Sequence, residues 1–230
     1  MTEKNLVELE KYLKTGSHIG TRFKTGNMKR YIFKKRKDGL NVLDVENIDE
    51  KIKIAAEFIS RFDLDKLVVV SRRVYGKTAV NKFAEATGAK ALTGRFVPGT
   101  FTNPSGKEFI EPMVVLVSDP EVDSQAVKEA IKVRALVVAL ASTNNYLKDI
   151  DLIIPINNKG RKSLALVFWL LAREILKKKG EIKKDSDFSM TESDFEYEMQ
   201  EGSEREDDDG QKRFNRRGRE ENKRPFRRSY

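Results

Sequence analysis

The sequence predicts a three-layer α/β/α fold built on a parallel sheet, and three observations carry that expectation. Short apolar runs without polar alternation, such as Leu67-Val68-Val69-Val70 and Met113-Val114-Val115-Leu116-Val117, require cover on both faces. Helix-like segments separate most of these runs, and strands spaced by helices join through right-handed crossovers. No repeat of the solenoid kind interrupts the pattern, so residues 1–180 read as one domain.

Taken in order, Leu6, Leu9 and Leu13 share one face of a short helix over about Thr2 to Lys14, which Gly16 ends. Two strand-like runs follow, Arg30 to Arg36 and Leu40 to Leu43, joined through the turn signal Asp38-Gly39. Ile52, Ala55, Ala56 and Ile59 give a helix over about Ile48 to Phe62, ahead of the strand Leu67 to Val70. A helix from about Gly76 to Thr87 stops at Gly88, and Ala89 to Leu92 makes a short strand. After a long loop comes the strand Met113 to Val117, then a helix over Asp123 to Val133 with Asp123 in a capping position. The strands Ala135 to Leu140 and Leu152 to Ile154 precede a last helix from about Arg161 to Lys178 through Leu164, Val167, Phe168, Leu171 and Ile175.

Charge is unevenly spread. The chain holds 45 Lys and Arg against 36 Asp and Glu, a net charge of +9 that suits a polyanionic partner. Residues 181–230 carry 12 basic and 15 acidic side chains, which leaves 33 against 21 in residues 1–180. The folded part is therefore the basic one. Past Gly180 aliphatic residues are few, and the composition predicts a disordered tail, acidic over 181–209 and basic over 210–230. There are no cysteines, which removes disulfides, thiol catalysis and cysteine-bound zinc. The polar N-terminus and the lack of an apolar run near ~18 residues lead to the expectation of a soluble, intracellular protein.

Enzyme signals fail on inspection. Ser71-Arg72-Arg73-Val74-Tyr75-Gly76-Lys77-Thr78 follows a strand and opens a helix as a phosphate-binding loop would, but Ser71 stands for its first glycine and four bulky residues occupy the curl. The magnesium-binding acid would have to be Asp119, which precedes proline. No Gly-x-Gly-x-x-Gly turn offers a dinucleotide site. His18 is the one histidine, placed between Gly16 and Gly20 where a local hydrogen bond is the simpler role. Asp207-Asp208-Asp209 reads as a solvated acidic run. No catalytic residue, metal or cofactor is expected, nor a small-molecule substrate or a membrane partner.

Distributed cations remain. Lys24, Lys29, Arg30, Lys34, Lys35, Arg36 and Lys37 form the densest cluster, interleaved with Phe23, Tyr31 and Phe33, and read as an outward-facing edge ribbon for nucleic acid; the alternative is a merely soluble basic face. Arg72, Arg73 and Lys77 join them, as do Lys159, Arg161 and Lys162 at the start of the last helix, where amides and dipole favour phosphate. In the loop Gly94-Arg95-Phe96-Val97-Pro98-Gly99-Thr100-Phe101-Thr102-Asn103-Pro104, Arg95 with the Thr and Asn side chains offers donors for phosphate and sugar oxygens. Phe96 and Phe101 taken alone read as plugs of the core beneath it.

That loop resembles the Arg-aromatic-x-Pro-Gly-Thr-x-Thr-Asn signature of the ribosomal small-subunit protein S-two family, which includes the eukaryotic laminin-receptor-like proteins. Gly16-Ser17-His18-Ile19-Gly20, Met28 to Ile32, Gly39 to Asp44, Ser118 to Asp123 and Ile153 to Gly160 fall in the family's order. Lys159 to Ser163, and the absence of an inserted helical hairpin, are closer to the archaeal and eukaryotic branch. Ala141-Ser142-Thr143-Asn144 departs from the family's usual Asp-Thr, and residues 181–230 align with nothing in it. The resemblance implies a flavodoxin-like sheet without enzymatic activity. It further implies a cytoplasmic place on the small subunit in translation, with rRNA and neighbouring ribosomal proteins as partners. Two rivals stay open, a free RNA-binding regulator using the arginine-rich tail and a nucleotide-binding α/β enzyme.

Overall fold

A computed structural model describes residues 6–183 and 187–198. Five parallel strands form the central sheet: β3 (Leu67–Ser71), β4 (Lys90–Thr93), β5 (Val114–Val117), β6 (Leu136–Ala141) and β7 (Leu152–Pro155). Their order is β4-β3-β5-β6-β7, the flavodoxin-like arrangement. Val69 lies beside Ala91 on one side and Leu116 on the other, and Leu116 beside Val138, so the apolar runs are in register across the sheet. A separate antiparallel hairpin pairs β1 (Ile32–Lys35) with β2 (Asn41–Leu43).

The strands' two-residue period divides the core into two faces. Leu67, Val69, Val114, Leu116, Val138 and Leu140 face α2 (Val45–Ser60), α3 (Val74–Thr87) and α5 (Arg161–Lys179), the three helices of one layer. Val68, Val70, Val115, Val117, Val137 and Ala139 face α4 (Ser124–Lys132) with Phe101, Phe96 and Ile110. One helix is too little for that second face. The helix-free loop between β4 and β5 completes it, with Phe101 buried and stacked edge-on against Phe96 at 5.0 Å.

Several boundaries and faces differ from expectation. Residues 6–8 are not helical, and α1 is only Leu9–Lys14; Leu9 and Leu13 are about half exposed while Tyr12 is buried. The reason is a polar anchor: Asp49 of α2 accepts the Tyr12 hydroxyl and the Leu6 N–H, each at 2.9 Å, and Lys53 sits 3.1 Å from its other oxygen. Burial first, then the Asp49 charge, holds the Tyr12 phenol far above its ordinary range. Arg30 and Tyr31 belong to a 3-10 turn, Asn27–Tyr31, so the ribbon starts at Ile32. Asp44 caps α2 by accepting the Glu46 N–H, which moves its start to Val45. Asp123 occupies the N-cap of α4 without a side-chain bond to the helix; its carboxylate instead accepts the Arg72 N–H at 3.0 Å.

Packing does not stop at Gly180. Residues 187–197 lie against the helical layer: Phe195 is fully buried, the Trp169 indole donates to the Met190 carbonyl at 2.9 Å, and Thr191 with Asp194 forms a capping box for the turn Glu192–Phe195. Glu192 and Glu196 pair with Lys11 and Arg161, each at 3.1 Å. The assignment of 181–230 to a structureless tail is corrected for this segment, because Phe188, Met190 and Phe195 supply anchors that the surrounding Ser, Asp and Glu disguise in an average composition. The described residues through Tyr197 form one compact unit. The acidic run with Asp207-Asp208-Asp209 and the basic end at 210–230 lie outside the described residues. Among the described residues no helix is long and apolar enough to cross a membrane.

Phe195→Ala should lower unfolding free energy by about 3 kcal/mol, as emptying a fully enclosed aromatic site does, while exposed Ser193→Ala should stay within about 0.5 kcal/mol. Urea unfolding followed by Trp169 emission checks this. Equal stability of the two variants would detach the segment from the fold.

Candidate nucleic-acid interface

Because all five strands run the same way, the segments after β3, β4, β5, β6 and β7 emerge at one end of the sheet. Arg72, Arg73 and Lys77 follow β3, Arg95 follows β4, and Lys159, Arg161 and Lys162 follow β7. The hairpin joins them through backbone docking. Thr25 donates its N–H to the Thr143 carbonyl and its hydroxyl to the Asn145 carbonyl, both at 2.9 Å, and the Thr21 N–H reaches the Thr143 hydroxyl at 2.9 Å. The Asn157 N–H binds the Ser17 carbonyl at 2.9 Å. Gly20 makes this approach possible: a Cβ there would stand 2.4 Å from the Thr143 methyl and 2.9 Å from the Asn41 carbonyl oxygen. Thr143, in the stretch that departs from the family pattern, is thus the hub of the joint. His18 takes a local role, its Nδ1 lying 3.3 Å from the Tyr12 carbonyl.

Twelve of the fourteen candidate cations are exposed: Lys24, Lys29, Arg30, Lys34, Lys35, Arg36, Lys37, Arg72, Lys77, Arg95, Lys159 and Lys162. Arg30 covers the Tyr31 ring at 4.9 Å, Lys34 lies 5.7 Å from the Phe33 ring, and Arg36 faces Asp38 at 3.6 Å, a surface pair worth little. Phe23 and Phe33 are 80% and 68% exposed, whereas Tyr31 is buried and belongs to the core. The other two cations are engaged internally. Arg161 pairs with Glu196, and Arg73 forms a two-pronged ion pair with the fully buried Asp119.

That ion pair lies where the sheet would admit a ligand. In an open parallel sheet a ligand enters where the strand order reverses, here between β3 and β5. The Asp119 carboxylate fills the place, taking Arg73 on one oxygen and the Asn145 amide and Glu121 N–H on the other, each of these last two at 3.0 Å. The Asn145 side-chain oxygen in turn accepts the Ser142 N–H and the Asn158 amide. Gly76 lies inside the first turn of α3, where a Cβ would meet the Ser71 hydroxyl at 2.4 Å, so it serves close helix-to-strand packing. Among the described residues no three His, Cys, Asp or Glu side chains converge on a metal position.

One buried carboxylate escapes the sequence reading, and a second, Asp123, reads there only as a helix cap. Glu129 of α4 holds the Pro-Gly-Thr loop, accepting the Gly99 N–H at 2.8 Å, the Phe101 N–H at 3.2 Å and the Gln125 amide at 2.8 Å. Burial pushes its carboxyl up, but these donors together hold it below the ordinary carboxylate range. Asp123 behaves oppositely. Its second oxygen has no hydrogen-bond partner, and burial, opposed by the Arg72 N–H and aided by the Asp119 charge, pushes it up to about 7. Tyr146 and Lys51 also escaped notice, since neither sits in a charge run.

Residues 12–108 and 107–178 match the family model described as Ribosomal protein S2. The chain is 52% identical over 194 residues to small ribosomal subunit protein uS2 of Staphylothermus marinus, covering 84% of this chain and 88% of that one. It is 50% identical over 199 residues to uS2 of Thermoplasma acidophilum, 86% of this chain and all of that one. With uS2 of Saccharolobus solfataricus the identity is 50% over 194 residues, 84% of each chain.

The two carboxylates give opposite pH signatures. Asp123 is protonated in the folded chain at pH values where the unfolded chain has already lost the proton, so its contribution to stability falls as pH rises from about 4 to about 7. Asp123→Asn should therefore gain on the order of 2 kcal/mol over the parent at pH 8 and little at pH 4. Glu129 contributes above the unfolded carboxylate range and loses that contribution as pH falls through its depressed folded value; Glu129→Gln should cost about 2 kcal/mol at pH 7 and less near pH 3. Urea titrations at these pH values check both, and pH-independent differences would refute the assignments.

Proposed function

The chain belongs to the ribosomal protein S2 family, and we propose that it is a structural constituent of the small ribosomal subunit that holds folded rRNA against the carboxyl end of its sheet. The family is structural and not enzymatic, in keeping with a switch-point crevice occupied by the chain's own Arg73 and Asp119. The names of the archaeal relatives place those proteins in the small subunit, and this chain takes the same cytoplasmic location beside other small-subunit proteins in translation.

One observation carries this reading: twelve of the candidate Lys and Arg are exposed, and those that follow β3, β4 and β7 leave the sheet at its carboxyl end. Phosphate neutralisation needs charge at fixed spacing and no reactive group. Folded RNA is met mainly through backbone and shape, which lysines on a stiff ribbon suit. Lys34 and Lys35 stand on β1, whose residues from Phe33 onward are exposed, so they carry no packing role. The N-terminus of α5 adds Lys159 and Lys162, with Arg161 shared with Glu196.

Replacing Lys34, Lys35 and Arg36 together with Gln should leave the melting temperature unchanged and weaken binding of the full chain to small-subunit rRNA. The slope of log K against log salt should fall by ~0.7 to 0.9 for every phosphate that is no longer neutralised. Gradient sedimentation of tagged chain in cell extract gives the second readout, with the parent travelling in the small-subunit fraction and the variant depleted from it. An unchanged slope and unchanged sedimentation would remove this ribbon from the interface.

A further inference from the structure

Beyond the cation ribbon, a groove of about 640 Å³ runs along the flank of the sheet, between the segment Gly26–Tyr31, Lys51 of α2, and the residues Leu147 to Ile153 that lead into β7. Among the described residues β7 is an edge strand, paired with β6 alone. The groove is in the size range of small-ligand sites, and polar groups make up most of its open wall. Arg30 and Lys51 both line it, and no carboxylate pairs with either among the described residues. Its one acid, Asp151, is already committed, accepting the Val137 N–H at 2.8 Å.

Two largely uncovered aromatic side chains belong to the segments that run into the walls of this groove. Tyr146, 78% exposed, immediately precedes Leu147 of the wall, and Phe23, 80% exposed, comes three residues before Gly26. The two segments are laced together by the Thr25 bonds to Thr143 and Asn145, so both rings are presented from fixed backbone. Packing gives no reason for them, because neither belongs to the core clusters. Exposed rings next to unpaired cations match the two needs of a single-stranded nucleotide, a flat surface for the base and positive charge for the phosphate.

We propose that this flank is a binding site for unpaired nucleotides of RNA, with a base stacked on Tyr146 or Phe23 and the adjoining phosphate held in the groove by Arg30 and Lys51. The proposal rests on the rRNA-binding reading and narrows it: the ribbon meets the phosphates of folded RNA, whereas this flank selects bases that are out of the helix. A strand of a partner protein is the competing occupant of an edge groove, but such a strand seeks apolar pockets for alternate side chains. The polar wall and cationic lining favour RNA.

The test uses the full chain with three probes: a labelled oligouridine and an oligoadenine of about a dozen nucleotides, and an RNA duplex of similar length. Phe23→Ala with Tyr146→Ala removes the rings and keeps every charge. Single-strand affinity should fall at least about tenfold while duplex affinity and the salt slope stay as in the parent. Arg30→Gln with Lys51→Gln should lower the single-strand salt slope by ~1.4, two phosphates at ~0.7 each. Melting followed by Trp169 emission verifies that both variants fold. If the parent binds both single strands and the aromatic variant binds them equally well, or if the parent binds only duplex and rRNA, the proposal falls and the ribbon reading stands. A parent that binds neither the probes nor small-subunit rRNA brings down both. An aromatic variant that binds every probe normally yet fails to enter small subunits assigns the flank to a protein partner and overturns the proposal.

Discussion

One buried carboxylate holds the carboxyl end of the sheet together. Asp119 is fully enclosed, so its charge has to be matched where it stands, and removing the partner of such a buried group costs about 3–5 kcal/mol. Arg73 reaches it from the turn after β3 and the Asn145 amide from the turn after β6. Asn145 passes the connection to Asn158 after β7 through its side-chain oxygen, and to Thr25 of the N-terminal segment through its backbone carbonyl. A single run of hydrogen bonds therefore spans four strand ends and the segment at the base of the hairpin. The exposed cations after β3, β4 and β7 stand on turns that leave the sheet at this end, and the N-terminal segment that leads into the hairpin docks here through Thr21 and Thr25.

The same network settles how the fold is used. An open parallel sheet offers ligands the crevice beyond its strand ends, and fold alone says nothing about which function fills it. Here the crevice is filled from within by an ion pair and two asparagine amides. Outside it lies a rim where exposed Lys and Arg side chains stand on the turns after β3, β4 and β7. Charge held at fixed positions loses less entropy on meeting a fixed array of phosphates than charge on a flexible chain.

Much of the layer structure was legible because it rests on periodicity. Runs such as Val68 to Val70 and Val114 to Val117 admit no solvated face, and the five strands of the sheet and the four longer helices are present within a few residues of their expected bounds. The errors have a common physical source. Leu9 and Leu13 followed the helical spacing but yielded the buried place to Tyr12, whose hydroxyl satisfies Asp49 across 37 residues of sequence. Arg73 read as a free cation because its counter-charge lies 46 residues away. Phe188, Met190 and Phe195 were averaged into a polar tail although three well-placed anchors suffice to seat a short segment. Each miss is a single long-range interaction, which neither composition nor local spacing registers. The cation ribbon was legible for the opposite reason, since a dense local run needs no distant partner.

The loop that makes the chain recognisable and the cations proposed to meet RNA are largely different residues. In Gly94 to Pro104 the most constrained positions point inward: Thr100 and Phe101 are buried, and the Gly99 and Phe101 amides are bound by Glu129. That loop substitutes for a second helix on the α4 face, so its sequence is fixed by the shape it must fill and the donors it must turn toward one carboxylate. Arg95 is exposed at the loop's start and could exchange its charge for a neighbour's without disturbing any of this. Binding a phosphate asks only for positive charge within reach, a demand many side chains and positions satisfy. Packing around a buried carboxylate asks for particular residues at particular places. The motif is distinctive because it solves a packing problem, whereas the cations proposed for the interface are ordinary exposed lysines and arginines under no such constraint.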